Sequence, residues 1–339
     1  MMSQERILQA HGGGGELTRR LLAAHVLPRL GNEWLNPLTD GAILPRPGGR
    51  ICFTTDAFVV QPLAFPGGDI GVLAVCGTVN DLAMMGARPL ALSLAMVLEE
   101  GLPIATLDTV LDSVAAAARQ AGVAIVAGDT KVIERGAAAQ PGMTITTAGL
   151  GEVSDSVDLR AARVAPGDVV IISGRIAEHG LAVMSAREGL TFETELLSDV
   201  APLNGLTADL LAAGVDVKFL RDPTRGGLAG LLADLADEAG WSVEIEEAKI
   251  PISPAALHTA DLLGLDPLTV ANEGKLLAVV PASDAETAIQ ALRRHPLGRH
   301  AALIGRCTDS APPLVELLTR AGGRRLVQRP YGEELPRIC

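Results

Sequence analysis

Short apolar runs rich in β-branched residues alternate with longer stretches of helical periodicity along most of the chain. This alternation predicts strands and helices that follow one another, which is typical of an α/β (α+β) fold with helices packed on sheets. In the first half, the predicted strands are residues 50–60, 89–98, 123–127 and 143–150, and the predicted helices are residues 69–86 and 103–121.

The pattern starts again after residue 164 and predicts a second unit of sheet and helices. Its predicted strands are residues 168–173, 241–245, 275–280 and 301–305, and its predicted helices are residues 180–187, 206–213, 227–239, 254–263 and 284–294. A chain of 339 residues is longer than one compact core usually holds. We therefore predict two domains, residues 1–155 and 156–325, which meet in the polar stretch 154–165. An extended tail is predicted over residues 326–339.

Charge and composition narrow the range of partners. Lys and Arg number 28 and Asp and Glu number 40, so the formal net charge is −12, and only 2% of the residues are aromatic. An acidic surface repels nucleic-acid backbones and anionic lipids, so we expect no nucleic-acid partner and no membrane partner. No apolar run approaches the roughly 18 residues of a membrane span, and the four Cys show no CxxC spacing. We expect a cytoplasmic protein with reduced thiols.

Three aspartates lie where the surrounding pattern predicts burial or the end of a strand. Asp56 interrupts an apolar strand, Asp81 lies inside an otherwise apolar helix, and Asp129 follows the predicted strand 123–127. A buried carboxylate without a partner is costly, so such groups usually face a cation or a hydrogen-bond donor. Three carboxylates from separate elements could converge on Mg²⁺, which takes oxygen ligands and retains substrate phosphates. Taken singly, each aspartate could equally be a cap or a turn residue.

Two glycine-containing segments could bind an anion through backbone amides. Residues 11–15 read HGGGG, and residues 222–227 read DPTRGG directly before a predicted helix. The alternative for the first is a flexible linker, and for the second a turn that leads into the helix. No Walker-type GxxxxGK[ST] sequence occurs in the chain.

Three further residues could handle protons or carry a group. Lys131 lies two residues after Asp129, and Glu273 lies at the start of a predicted strand, although either could equally be a surface charge. Cys339 is the last residue and is carried by the proline-containing tail, which gives an exposed, oxidisable thiol the reach of a swinging carrier. The remaining cysteines lie in apolar runs and are expected to be small core residues; they are Cys52, Cys76 and Cys307.

Seven of these segments together resemble one known family. The segments are TTDAFVV, FPGGDIG, CGTVNDLAMMGA, AGDTKV, RDPTRGG, NEGKL and the terminal LPRIC. They resemble the HypE family, the carbamoyl dehydratases of hydrogenase maturation. This family is part of the PurM-like superfamily, which includes the aminoimidazole ribonucleotide and selenophosphate synthetases. The resemblance extends from about residue 11 to Cys339, and the terminal PRIC is its most specific part.

The resemblance implies a two-domain PurM-like fold whose N-terminal domain binds ATP with Mg²⁺ and forms a homodimer through its sheet. The family's metal and phosphate positions correspond to Asp56, Asp81 and Asp129. Its nucleotide-contacting motifs contain Asn80, Thr130, Gly12, Gly13 and Gly14.

The resemblance also implies a reaction and partners. HypF carbamoylates Cys339, and the dehydratase uses ATP to convert this thiocarboxamide to a thiocyanate. The cyanide then passes to iron on a HypC–HypD complex and becomes a ligand of the [NiFe] hydrogenase centre. ATP would phosphorylate the amide oxygen, and a base would remove a proton from the nitrogen. Either Lys131 or Glu273 is expected to act on the base side, and the sequence leaves open which one does.

Two other classes of function are compatible with the same residues. A superfamily relative that acts on free aminoimidazole ribonucleotide or selenide would not need a C-terminal thiol, so it would stay active without residues 338–339. A non-catalytic carrier would hold a carbamoyl group and transfer it without using ATP. Cys339 favours the dehydratase over the first alternative, and ATP hydrolysis coupled to loss of water from the tail would exclude the second.

Overall fold

The computed structural model describes residues 5–13, 15–39, 41–136, 141–190 and 196–331. In chain order, the strands are β1 (Arg50–Phe58), β2 (Ala64–Phe65), β3 (Gly68–Asp69), β4 (Ala87–Glu99), β5 (Ala124–Ile133), β6 (Met143–Val153), β7 (Val169–Ile172), β8 (Phe219–Arg221), β9 (Ser242–Glu246), β10 (Leu277–Val280), β11 (Ala302–Thr308), β12 (Val315–Leu318) and β13 (Arg324–Val327). The α-helices are α1 (Glu16–Leu21), α2 (Leu27–Leu30), α3 (Ile70–Met84), α4 (Ile104–Ala121), α5 (Glu178–Arg187), α6 (Asn204–Leu211), α7 (Gly227–Ala239), α8 (Pro254–Leu263) and α9 (Ala285–Arg294).

The first half of the chain is organised around a sheet whose described strands run in the order β1-β6-β4-β5. β4 and β5 are parallel, and the other neighbours are antiparallel. Helices α3 and α4 pack against this sheet and against each other. Asp69 caps α3, because its Oδ1 accepts hydrogen bonds from the amides of Gly71 and Val72 at 2.8 and 3.0 Å.

A close contact between α3 and β1 brings two of the predicted aspartates near each other. A Cβ placed on Gly77 of α3 would lie 2.7 Å from the Phe58 ring at the end of β1, so glycine is needed for this approach. Asp81 lies one helical turn after Gly77, and Asp56 lies two residues before Phe58. Both aspartates therefore lie along the same helix–strand contact.

The second half is organised around a longer sheet, whose described strands run in the order β13-β12-β9-β11-β7-β10-β8. The four residues of β7 and the four of β10 are all buried, which fits their short, uninterrupted apolar sequences. Two apolar clusters, built on Leu232 and Leu292 among others, lie on either side of this sheet. No helix in the described part of the chain combines the length and the apolarity needed to cross a membrane.

The predicted α/β (α+β) fold is confirmed, and the differences lie in short or polar strands and in the N-terminal helices α1 and α2, which were not predicted. The predicted helices 227–239 and 254–263 coincide with α7 and α8. The pattern missed five strands of only two to four residues, which are β2, β3, β8, β12 and β13. β5 extends six residues beyond the predicted end at residue 127, because the polar segment after it continues to pair with β4.

The start of the tail also differs from the prediction. Leu326 and Val327 were expected in the extended tail, but they form the end of β13, where they pair with β12. Val327 is buried in the apolar cluster of the second sheet. Charged residues dominate the rest of this edge strand, so it lacks the alternation that identifies a strand in sequence.

Candidate active site

An acidic cavity lies between the first and second halves of the chain. Its volume is about 150 Å³. The first half contributes β1 and α3 to its wall, and the second half contributes the DPTRGG turn and the segment before β10. The lining residues are Thr55, Asp56, Ala57, Phe58, Gly77, Asp81, Asp222, Thr224, Arg225 and Glu273.

The two aspartates from the first half have different environments. Oδ1 of Asp56 accepts a hydrogen bond from the amide of Ala57 at 2.8 Å. Asp81 accepts one from the Thr54 hydroxyl at 2.7 Å. Burial is the main cause of the raised pKa of Asp81; the Thr54 hydrogen bond opposes this shift, and the charge of Asp56 adds to it.

The carboxyl groups from the second half are the most perturbed in this cavity. Burial, followed by the charge of Asp81, raises the pKa of Asp222 to about 7. Glu273 is only 3% exposed. Burial raises its pKa well above the ordinary range, and the charges of Asp222 and Asp199 add to this effect. Arg225 lies in the same cavity and partly offsets the negative charge.

A hydrogen-bonded scaffold fixes the segment that carries Glu273. The carboxylate of Asp199 accepts hydrogen bonds from the amides of Glu273 and Gly274 at 3.1 and 3.2 Å, and from Lys275 Nζ at 2.9 Å. A Cβ on Gly274 would lie 1.8 Å from the Asp199 carbonyl oxygen, so only glycine fits there. The Asn272 side chain donates to the carbonyl of Pro223 and accepts from the amide of Ala177. These contacts connect the segment to the DPTRGG turn.

Asn80, which the sequence places in a nucleotide-contacting motif, lies where the two halves of the chain meet. Its side chain is fully buried. Its Nδ2 donates to the carbonyls of Glu273 and Ala201 at 3.1 and 3.2 Å, and its Oδ1 accepts from the amide of Leu203 at 2.8 Å. The side-chain amide of Asn80 thus hydrogen-bonds to backbone groups of the second half. These bonds connect the two halves of the chain.

A second cavity, also of about 150 Å³, lies between the N-terminal helical segment and strands β4 and β5. Most of its wall is aliphatic, with a polar end formed by Asp129, Thr130 and Lys131. Asp129 and Lys131 form an ion pair with 3.3 Å between Oδ2 and Nζ. The remaining lining residues are Gly12, Thr18, Leu22, Val26, Leu27, Leu30, Leu35, Leu38, Leu94, Met96, Ile125, Ala127 and Gly128.

Gly12 lies directly against β5. A Cβ on Gly12 would be 2.4 Å from the amide nitrogen of Val132, so this approach requires glycine. Gly13 is exposed and follows it in the chain. Gly14 and Cys339, which the sequence also singled out, lie outside the described residues.

The structure therefore divides the predicted site residues between two places. Asp56, Asp81 and Glu273 face the acidic cavity, whereas Asp129 and Lys131 face the aliphatic one. β1 and β5 are opposite edges of one sheet, so Asp56 and Asp129 are separated by three strand spacings, or roughly 14 Å. Within the described ranges, no three His, Cys, Asp or Glu side chains are grouped so as to hold a metal ion. A single chain does not assemble the expected three-aspartate site.

Sequence analysis missed Asp222 and Arg225 as charged members of the site. It identified DPTRGG only through its backbone amides, whereas the structure places both side chains in the acidic cavity. The hydrogen bond from Asn272 to Pro223 connects their segment to that of Glu273 and joins residues about fifty positions apart. The sequence did show an aspartate and an arginine, Asp222 and Arg225, within one glycine-containing turn.

Comparisons with known proteins identify the family. Residues 38–153 match the N-terminal domain of AIR synthase related proteins, and residues 165–313 match the C-terminal domain. Carbamoyl dehydratase HypE from Rhizobium leguminosarum bv. viciae is 48% identical over 335 residues, covering 98% of this chain and 95% of that protein.

Two solved structures are similar over nearly the whole chain. The crystal structure of hydrogenase maturation protein HypE in complex with ATP has a TM-score of 0.93 and 43% identity, and the match covers 98% of this chain and 99% of that one. HypE in the HypE–HypF complex has a TM-score of 0.79 and 44% identity, with 93% and 100% covered. The two-domain PurM-like fold is thus confirmed, and the chain belongs to the HypE family of carbamoyl dehydratases.

Proposed function

We propose that this protein uses ATP to dehydrate a thiocarboxamide on its own Cys339, and that the resulting thiocyanate supplies the cyanide ligand for [NiFe] hydrogenase maturation. The observation that carries this proposal is the acidic cavity, in which a buried glutamate meets carboxylates from both halves of the chain. Support also comes from the relatives named carbamoyl dehydratase HypE and from the chain's terminal cysteine.

The reaction needs both an activated oxygen and a base. Dehydration of R–S–C(=O)–NH₂ to R–S–C≡N removes the amide oxygen and both nitrogen protons. Transfer of the γ-phosphoryl group of ATP to the amide oxygen turns that oxygen into part of a leaving phosphate. Loss of the first nitrogen proton accompanies this transfer and gives an O-phospho-imidate with a C=N bond. Loss of the second proton lets the N–H bonding pair complete the C≡N bond as the C–O bond breaks; one of the two protons stays on the released phosphate and the other passes to solvent. The products are the thiocyanate, ADP and a phosphate that contains the former amide oxygen.

Glu273 is assigned to the removal of the second nitrogen proton, the one lost as the C–O bond breaks. Its raised pKa makes the carboxylate a stronger base than an ordinary glutamate, and the cavity shields it from water. Lys131 lies against the other cavity and is paired with Asp129, so this chain offers Glu273 as the base. Lys131 is assigned to the nucleotide.

Nucleotide binding is assigned to the region between the two cavities. The aliphatic cavity is suited to a flat, mostly apolar base, and its polar end beside Gly12, Thr130 and Lys131 leads toward phosphates. The similar HypE structure in complex with ATP supports a nucleotide site.

The acidic cavity fits the chemistry of a hard cation, because Asp56 and Asp81 offer carboxylate oxygens close to one another. Mg²⁺ bound there would neutralise charge during phosphoryl transfer. Asp129, on the opposite edge strand, is assigned to the same Mg–ATP site, at the end beside the aliphatic cavity.

A homodimer is proposed through the uncovered face of the first sheet. Ile51, Phe53 and Ile133 on its edge strands are 62%, 68% and 48% exposed. A second copy would cover these apolar side chains. Phe53→Asp should convert the dimer to a monomer in sedimentation analysis, whereas Leu262→Asp, at an equally exposed leucine on α8, should not. A dimer that survives Phe53→Asp would contradict this interface.

The domain and partner assignments follow the same proposal. Residues 1–155 form the ATP-binding and dimerisation domain, residues 156–325 form the second domain, and the tail after β13 presents Cys339. HypF is assigned as the carbamoyl donor, which the HypE–HypF complex supports. A HypC–HypD complex is assigned as the cyanide acceptor.

The decisive experiment is intact-mass analysis after incubation with HypF, carbamoyl phosphate and ATP. The full-length protein should gain a carbamoyl group and then lose one water from the Cys339 adduct. Cys339→Ser should gain neither modification. A carbamoyl adduct that is stable in the presence of ATP would indicate a carrier, and unchanged thiocyanate formation by Cys339→Ser would overturn the proposal.

A further inference from the structure

The last described residues of the chain are held against α7 after β13 ends. The guanidinium of Arg329 donates hydrogen bonds to two aspartates of this helix, Asp234 and Asp237. Its Nε lies 2.9 Å from Oδ1 of Asp234, and its terminal nitrogen contacts Asp234 and lies 3.1 Å from Oδ2 of Asp237. Such two-pronged arginine–carboxylate contacts fix orientation as well as position. The chain is therefore attached to α7 two residues after β13.

The next residue, Pro330, lies at the beginning of α7 beside the acidic cavity. A Cβ on Gly226 would lie 3.6 Å from Pro330 Cδ, and one on Gly230 would lie 3.9 Å from the same atom. Gly226 directly follows Arg225, which lines the acidic cavity. The described chain therefore ends next to the wall of the candidate active site.

The position of this attachment determines how far Cys339 can reach. Ten residues follow Arg329, and an extended chain of that length spans at most about 33–36 Å. If the chain were held only at Val327, twelve residues would be free, and the extended span would be about 40–43 Å. A tethered group becomes more dilute roughly as the −3/2 power of the tether length, so the shorter tether alone gives only about a 1.3-fold gain.

Resting on the proposed function, we propose that Arg329 is a positioning residue. By binding Asp234 and Asp237, it anchors the base of the tail beside the acidic cavity and raises the local concentration of the Cys339 thiocarboxamide there. The anchor fixes the starting point and direction of the tether as well as its length. The expected effect on the tethered reaction is therefore larger than the length alone gives, about three- to tenfold.

A matched control lies four residues earlier. Arg325 on β13 also forms an arginine–aspartate pair, with 2.7 Å between its terminal nitrogen and Oδ2 of Asp266. The two arginines have similar exposure, and Asp266 does not line the acidic cavity. Arg325→Gln thus removes a comparable ion pair near the tail without releasing the anchor.

The first measurement is single-turnover dehydration of the carbamoylated full-length protein. HypF and carbamoyl phosphate load Cys339, ATP starts the reaction, and intact mass follows the loss of water. Arg329→Gln should be three- to tenfold slower than the parent, and Arg325→Gln should match the parent. Equal dehydration rates for all three proteins would show that Arg329 does not position the tail.

A second measurement separates positioning from damage to the site. In the full-length Cys339→Ser background, a synthetic peptide of residues 332–339 with a thiocarboxamide cysteine serves as a free substrate. Arg329→Gln should leave this rate unchanged or increase it, because the peptide needs no anchor and competes with a less localised tail. If Arg329→Gln slows the free-peptide and tethered reactions equally, Arg329 has a structural role and the proposal is wrong.

A third measurement does not depend on dehydration. A fluorophore attached to Cys339 should show lower anisotropy in Arg329→Gln than in the parent or in Arg325→Gln. If the parent forms no thiocyanate, the proposed function fails, and this readout still decides whether the anchor exists. Unchanged anisotropy in Arg329→Gln would contradict it.

Discussion

The acidic and aliphatic cavities have the same volume of about 150 Å³, but their lining residues differ in chemical type. The acidic cavity gathers four carboxyl groups and one arginine at the junction of the two halves. The aliphatic cavity lies within the first half and has a single ion pair, Asp129–Lys131, at its edge. The contrast teaches that the residues singled out in the sequence lie in two chemically different places, for which we propose proton and phosphate chemistry in the acidic cavity and binding of the adenine base in the aliphatic one.

The cavities are also held in shape by different forces. Around the acidic cavity, side chains such as Asn80, Asn272 and Asp199 bind backbone groups, which fixes charged residues where repulsion would otherwise separate them. The aliphatic cavity relies on packing between the N-terminal helices and the sheet. An ion pair, Arg29–Asp112, and a hydrogen bond between His25 and Asp108 attach that helical segment to α4.

The largest expected effect comes from removing the proposed base. Glu273→Gln keeps the size of the side chain but cannot accept a proton, so dehydration should slow by about 10²–10⁴-fold while ATP affinity is retained. Single-turnover mass analysis of the carbamoylated protein, together with ATP titration, measures both quantities.

Glu178 provides the control for this change. Its pKa is also raised by burial, but it faces Lys275 and does not line the acidic cavity. Glu178→Gln should retain the parent rate. If Glu273→Gln dehydrates at the parent rate, or if both variants lose activity equally, the assignment of the base to the acidic cavity is wrong.

A smaller effect is expected from filling the aliphatic cavity. Ala127 lines it, and a phenyl ring there would occupy much of the space assigned to the adenine base. Overpacking of this kind costs about 1–3 kcal/mol, so Ala127→Phe should weaken ATP binding by about tenfold or more. At saturating ATP, the dehydration rate should recover.

Ala124 on the same strand is partly exposed to a similar degree and lines neither cavity. Ala124→Phe should therefore bind ATP with the parent affinity. Isothermal titration with both variants makes the comparison. If Ala127→Phe binds ATP with the parent affinity, the adenine base does not bind in this cavity.

The sequence predicted the membership of the acidic cavity better than the layout of the whole site. Asp56 and Asp81 were identified because carboxylates interrupt apolar elements, and the structure brings them together. The separation of Asp129 from them depends on the strand order β1-β6-β4-β5, which no local pattern encodes. The family resemblance placed Asn80 in a nucleotide-contacting motif, whereas its hydrogen-bond partners lie more than 120 residues away and cannot be read from its own helix.

The smallest effect tests whether repulsion among carboxylates strains the acidic cavity. In the folded protein, burial and the Asp81 charge raise the pKa of Asp222 from 3.8 to about 7. A carboxyl group whose pKa is higher in the folded state favours folding below about pH 4, and this contribution is lost as the pH rises through 7. Asp222→Asn should therefore leave Tm nearly unchanged at pH 4 and raise it by about 2–4 °C at pH 8.

The matching change in the aliphatic cavity is Asp129→Asn, at an exposed carboxylate that is paired with Lys131. Removing this carboxylate breaks an exposed ion pair and relieves no crowding, so Tm at pH 8 should stay the same or fall slightly. Thermal unfolding of the parent and both variants at several pH values measures the difference. If Asp222→Asn lowers Tm at pH 8 as much as at pH 4, the carboxylates do not repel one another as the geometry requires, and the electrostatic contrast between the cavities fails.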